Sequence, residues 1–176
     1  MSLTQIAEAL AARRLPPLDQ WNPAEQVASH MVIKADGTWL HEGRPITRPA
    51  MIRAFASLLV KEAGGRHVLL TPQCRQVIAV EDAAFVAVDV EAKDGTLAFR
   101  LNTDELVLAG PANPLRAAGD PECPAIYLAV RHGTEARVNR STWLQLVDLA
   151  QERDGVPTVT SQGTQFPLVP ADENGA

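Results

Sequence analysis

Two stretches of this chain carry the same punctuation, and that echo constrains the fold more than any other feature of the sequence. In the first, Met31-Val32-Ile33-Lys34 reads as extended, Asp36-Gly37 as a tight turn, Thr38-Trp39-Leu40 as extended again, and Pro49 as a helix start. In the second, Ile126 to Val130 is extended, His132-Gly133 turns, Thr134 to Val138 is extended, and a helix opens at Ser141. Asp-Gly is a strong hairpin signal, because glycine accepts the positive φ of a type I′ turn. Proline suits the first helical position, where its missing N–H has no partner to lose. Laying Gly133-Thr134 over Gly37-Thr38 and allowing a four-residue deletion brings Arg140-Ser141 under Arg48-Pro49. It also brings Trp143, Leu144 and Val147 under Met51, Ile52 and Phe55 as equivalent core positions. The expectation is an internal duplication of a strand-turn-strand-helix unit. Such a unit specifies a fold and carries no chemistry of its own.

The rest of the chain fits around these units. Leu3, Ile6, Ala7 and Leu10 recur at helical spacing and predict a short helix over residues 4–13, ended by Pro16-Pro17. Trp21-Asn22-Pro23 reads as a loop anchored by its tryptophan. The helix from Pro49 carries Met51, Ile52, Phe55, Leu58 and Leu59 as one stripe, and Gly64-Gly65 stops it; Gly155 plays that part in the second unit. Strands are expected over His67 to Thr71, Val77 to Val80, Ala84 to Glu91, Leu97 to Leu101 and Glu105 to Leu108. Asp94-Gly95 is a further hairpin turn, and Ala112 to Pro124 is a loop. The prediction is an α+β protein of two packed subdomains, residues 15–72 and 73–168, the second β-rich and ending in its helix. Residues 169–176 form a frayed tail.

Charge and composition exclude several functions. At a formal net charge of −5, the chain lacks the basic face that a nucleic-acid polymer requires. Cys74 and Cys123 share no metal or redox spacing and are expected as free buried thiols. No basic-then-apolar leader opens the chain, and Ala83 to Val88 is too short a run to span a bilayer, so the expected location is cytoplasmic. No phosphate loop, nucleophile elbow or metal-binding helix motif is present, and the four histidines share no ligand spacing. No cofactor, metal or catalytic residue is assigned.

The candidate binding residues remain open to two readings each. Glu81-Asp82 is either a turn whose Asp bonds its own backbone or an acid-base pair. Asn102-Thr103-Asp104-Glu105 is a polar turn or a ligand-facing cluster. Arg48 and Arg140, one in each unit, either pair with the acidic middle strands or line one cleft for an anion, with Arg53 beside them. Trp39 is either core or a stacking face for a nucleobase.

Beyond these separate readings, several motifs occur in a telling order: Trp21-Asn22-Pro23, Asp36-Gly37-Thr38-Trp39, Gly43-Arg44-Pro45-Ile46-Thr47-Arg48, Leu70-Thr71-Pro72, Val80-Glu81-Asp82-Ala83-Ala84-Phe85 and Ala109-Gly110-Pro111. In that order, from about Leu15 to Leu168, the chain resembles the bacterial family catalogued as domain of unknown function 1285. It departs from the pattern at Cys74-Arg75, where a charged pair is expected. The resemblance implies two related subdomains, a C-terminal half loosely like pleckstrin-homology folds, and a nucleotide-like ligand in the cleft between them, with a role in signalling.

The expected function is therefore a non-enzymatic module that binds a small anionic, nucleotide-like ligand. Arg48, Arg53 and Arg140 would hold the anion, Trp39 would stack, and Thr71, Glu81, Asp82 and Asn102 would give polar contacts. A protein-interaction module is the alternative, and a hydrolase built on Glu81 and Asp82 the third reading. The sequence assigns no oligomeric state.

Overall fold

Runs of β-branched and aromatic side chains broken by Asp-Gly and Pro turns dictate short strands, and the described residues form fifteen of them. The computed structural model describes residues 15–171, so the expected helix over residues 4–13 and the last residues of the tail lie outside the described residues. Strands β1 (Glu25–Ile33), β2 (Trp39–His41) and β3 (Arg44–Pro45) form one meander. Helix α1 (Pro49–Ala56) follows, and β4 (Leu59–Lys61), β5 (His67–Leu70) and β6 (Cys74–Val80) form a second meander. Parallel pairing of β1 with β6 joins them into one sheet of order β3-β2-β1-β6-β5-β4.

The second half repeats this plan. β7 (Phe85–Lys93), β8 (Thr96–Leu101) and β9 (Leu106–Leu108) form a meander, as do β10 (Leu115–Asp120), β11 (Cys123–Ala129) and β12 (Glu135–Val138). Parallel pairing of β7 with β12 gives the order β9-β8-β7-β12-β11-β10, the first sheet's topology strand for strand. Individual hydrogen bonds recur as well. Ile46 N donates to Trp39 O at 2.8 Å, and Ala109 N to Leu97 O at 2.9 Å. Leu70 N donates to Leu58 O at 2.9 Å, and Ala129 N to Pro114 O at 3.0 Å. Glu81 N donates to Ile33 O at 3.0 Å, and Asn139 N to Ala87 O at 3.1 Å.

The duplication is therefore real, but its phase differs from the one read in the sequence. Asp36-Gly37-Thr38, at the β1–β2 turn, is matched by Asp94-Gly95-Thr96 at the β7–β8 turn and not by His132-Gly133, which joins β11 to β12. The helices are not equivalent. α1 bridges the two meanders of the first sheet, whereas α2 (Arg140–Leu149) follows the last strand of the second, where a loop bridges instead. Matching helix to helix shifted the alignment.

Other expectations also change. α1 ends at Ala56, because Leu59 to Lys61 pairs with β5; Gly65 (φ +90) serves the β4–β5 turn and is no helix stop. Strand β6, expected beyond a boundary at Pro72, belongs to the first sheet. The expected loop from Ala112 contains β10, which pairs with β11 from Leu115↔Leu128 to Asp120↔Cys123. After α2 come β13 (Gln151–Arg153), β14 (Val156–Ser161) and β15 (Thr164–Pro167), with Gly155 in a hairpin turn. The half does not close on its helix as the pleckstrin-like expectation required.

One apolar core runs through both halves, from Ile33, Trp39 and Leu59 to Phe85, Phe99 and Leu128, and on to Phe166 in the last sheet. α2 docks through Thr142 and Leu146, an i,i+4 pair, so Leu144 (49% exposed) and Val147 point outward instead of filling the core. Arg75 holds the Trp21 loop, donating to Pro23 O and, at 2.8 Å, to Asn22 Oδ1. Both cysteines are free, Cys74 half-buried and Cys123 exposed rather than buried. Among the described residues no helix is long and apolar enough to cross a membrane.

Candidate functional site

Beyond the shared core, two contacts between the sheets are each built around a glycine in a tight turn. At one, Gly37 (φ +91) lies against the second half, and a Cβ there would stand 2.8 Å from Asn102 Nδ2 and 3.1 Å from Val86 Cγ2. Asn102 is itself fixed: its N–H donates to Val86 O at 2.8 Å and its Oδ1 accepts from Val86 N at 3.1 Å. At the other, the β11–β12 turn rests on β4. Lys61 N donates to His132 O at 2.9 Å, and a Cβ on Gly133 would stand 2.7 Å from the Lys61 carbonyl oxygen. Arg131 crosses the same seam. It is ion-paired with Glu105, lies 5.3 Å from the Phe85 ring centre, and donates to Ala56 O at 3.3 Å, at the end of α1.

Beside the Gly37 contact opens a cavity of about 450 Å³. The first half contributes Ala35 and Asp36 from its hairpin turn; Asp82 comes from the link between the sheets, Asn102 from the end of β8, and Arg137 and Arg140 from the end of β12 and the start of α2. A second cavity of about 290 Å³, with Cys123 and Trp143 in its wall, meets the first at Arg137 and Arg140. The result is a groove that starts at the seam and continues over the second half, where Glu122 also lines it, with Arg137 and Arg140 common to both parts.

The charges differ in how they are engaged. Asp82 accepts a hydrogen bond from Tyr127 Oη at 2.6 Å and one from Arg137 at 3.1 Å. Arg137 also donates to Tyr127 Oη at 3.2 Å. Tyr127 lies between two guanidiniums, that of Arg116 at 4.2 Å and that of Arg137 at 5.4 Å from its ring centre. Burial, then the hydrogen bond to Asp82, pushes the phenol's pKa up. The bidentate bond to Glu135, at 2.6 and 2.8 Å, raises that of Arg116. Asp36 is held below the usual carboxylate range, chiefly by the Thr38 backbone N–H, which donates to it at 2.9 Å. Arg140 is exposed and has no hydrogen-bond or ion-pair partner among the described residues. It opens α2, whose N-cap Asn139 accepts from Thr142 N at 2.9 Å.

Of the residues proposed from sequence, the fold brings Asp82, Asn102 and Arg140 together in this groove. Glu81 stands beside it, accepting from Ala35 N at 2.8 Å and so bracing the turn that carries Asp36. The carboxylates of Glu81 and Asp82 thus serve different partners and do not converge as an acid-base pair. Trp39 is no stacking face. It is 1% exposed and stacks on Phe55 in the core, ring centres 6.3 Å apart. Arg48 lines a different hollow, of about 630 Å³, with Arg44 and Met51, so it shares no cleft with Arg140. Arg53 lies on α1, away from the groove. Thr71 closes the β5–β6 turn, its Oγ1 accepting from Cys74 N at 3.1 Å. Sequence reasoning passed over Asp36 and Tyr127, and noted Arg137 among the arginines of the second unit without placing it in the site. Asp36 had a visible signal, since it sits in the hairpin turn; Tyr127 and Arg137 became legible only through the β11–β12 register that pairs them.

Comparison with known proteins follows this division of the chain. A family model described as "Domain of unknown function (DUF1285), N-terminal domain" matches residues 16–83, and one described as "Protein of unknown function (DUF1285), C-terminal domain" matches residues 84–168. Their junction falls between β6 and β7, where one sheet ends and its repeat begins. The crystal structure of a DUF1285 family protein from Silicibacter pomeroyi DSS-3 is similar at a TM-score of 0.82 and 40% identity, over 96% of each chain. That of a DUF1285 family protein from Shewanella baltica OS155 shares the fold at a TM-score of 0.55 and 22% identity, over 67% of this chain and 90% of that one. Among curated proteins none matches.

Proposed function

The chain belongs to the DUF1285 family, and from that premise we propose that it is a non-catalytic cytoplasmic module that binds a small anionic, nucleotide-like ligand in the groove between its halves. Its output would be a signal read from ligand occupancy. One observation carries the reading. Arg140 is an exposed guanidinium with no partner among the described residues, in a groove it shares with a second guanidinium. Arg66, Arg75, Arg100 and Arg116 each meet a carboxylate; the guanidiniums of Arg44 and Arg48 are also without a partner among the described residues, but they line a hollow formed by the first half alone. A guanidinium fork is suited to a phosphoryl or carboxylate group. Trp143, in the adjoining wall, takes the place the sequence reading gave to Trp39 as the aromatic beside the anion. A thermal-shift screen against inorganic phosphate and a nucleotide panel tests this. The reading expects stabilisation by at least one member, lost in Arg140→Ala. No shift with any member, or an undiminished shift in the variant, would sink it.

A second reading has one observation of its own. The outer face of α2 exposes Leu144, Val147 and Leu149, which is what a protein-interaction module would present. Concentration-dependent sedimentation that disappears in Leu144→Ser would favour it.

A further inference from the structure

Asp82 lines the groove, yet both its oxygens are already engaged. Oδ1 accepts from Tyr127 Oη at 2.6 Å and Oδ2 from Arg137 at 3.1 Å. Tyr127 is in turn held between Arg116 and Arg137, and Arg116 is pinned by Glu135. A carboxylate in this position is not an acceptor waiting for a ligand. It is an anion already seated on one of the groove's two guanidiniums, while the other, Arg140, stands open.

We propose that Asp82 is a built-in competitor that occupies Arg137 in the empty groove and is displaced from it when the ligand's anion binds. The inference rests on the groove being an anion site and specifies how that site is regulated. An incoming anion meets Arg140 first and gains Arg137 only by outcompeting Asp82. A dianionic phosphoryl group has the charge to do so; a monoanion stays on Arg140 alone. Asp82 thus sets a threshold that favours dianions. Its effect is opposite in sign to that of a carboxylate that touches the ligand: removing it tightens binding. Asp36 supplies the comparison, because it lines the same cavity with Thr38 as its partner and not an arginine.

The test is calorimetric titration with inorganic phosphate at pH 8 and constant ionic strength, with acetate as the monoanion. Asp82→Asn is expected to bind phosphate about fivefold more tightly than the unaltered chain, the scale of one partly screened ion pair. Asp82→Ser is expected to do the same, which guards against a fault peculiar to one variant. The gain should vanish in an Arg137→Gln background and exceed that of Asp36→Asn. The preference for phosphate over acetate should narrow. Unchanged or weaker binding in both Asp82 variants overturns the inference. So does a gain that survives Arg137→Gln, a gain no larger than that of Asp36→Asn, or no binding by any variant. Binding by the Asp82 variants alone, through Arg137, would support the competitor while removing the case for ligand binding by the unaltered chain.

Discussion

Replacing Gly133 by alanine tests how the two halves are joined, and Gly43 provides a matched control. Both glycines end two-residue turns of nearly the same shape: Glu42-Gly43 at φ 51° and 80°, His132-Gly133 at φ 49° and 77°. An alanine in either position must adopt the left-handed region, at about 1 kcal/mol. At Gly43 that is the whole cost, since a Cβ there would meet nothing within 4 Å. At Gly133 the new Cβ would lie 2.7 Å from the Lys61 carbonyl oxygen, which belongs to backbone and cannot swing aside. Relieving the overlap lifts the turn off β4 and lengthens the 2.9 Å bond from Lys61 N to His132 O, a further cost of about 1 kcal/mol. Lost packing beneath brings the total for Gly133→Ala to about 2–4 kcal/mol, against about 1 for Gly43→Ala. Urea unfolding of both variants beside the parent chain measures the difference directly. Equal costs would refute the claim that the β11–β12 turn is clamped on the first sheet.

Three further outcomes follow from the packing. Trp39→Ala should cost about 3–5 kcal/mol in chemical denaturation, whereas Trp39→Phe should leave phosphate binding unchanged, because the ring faces Phe55 and not the groove. Arg131→Met strips the buried Glu105 carboxylate of its guanidinium, with the two side chains only 13% and 7% exposed. It should cost about 3–5 kcal/mol, most of which returns in the Arg131→Met, Glu105→Leu double variant; thermal melts of the pair decide it. Burial, then the charge of Lys61, holds His67 below its ordinary pKa of 6.5. The unfolded chain therefore takes up that proton first, so the site's stability is complete above pH 6.5 and is lost as pH falls through that value toward the folded one. Melting curves from pH 8 to 5 should show a steeper acid-side loss for the parent chain than for His67→Gln.

Much of the fold was readable where local chemistry decides the backbone. Asp36-Gly37 and Asp94-Gly95 mark hairpin turns, Pro49 opens α1, and the valines of β7 announce a strand. The duplication was readable too, but matching one helix to the other obscured the repeated Asp-Gly-Thr that marks its true phase. β4 and β10 stayed hidden because their partners lie in other strands. Leu59 to Lys61 continues a helical stripe until β5 claims it, and Leu115 to Asp120 is rich in the small residues of a loop. The last sheet also carries a signal, since Asp154-Gly155 and Gln162-Gly163 flank a short run rich in β-branched residues, Val156 to Thr160. Within the groove, Asp82, Asn102 and Arg140 were legible as polar residues at element ends. Arg48 was misplaced by an alignment of helices that the sheets do not share, and Trp39 by its polar neighbours Thr38 and His41, which flank a side chain that the strand turns into the core.

The central claim is that the seam between the halves holds an anion on Arg140. The most direct measurement is a crystal structure of the chain grown with adenosine monophosphate. The account predicts phosphoryl density within hydrogen-bond distance of Arg140, with Arg137 turned from Asp82 toward it. Density at the Arg44–Arg48 hollow, with the seam empty and the Asp82–Arg137 pair intact, would contradict it.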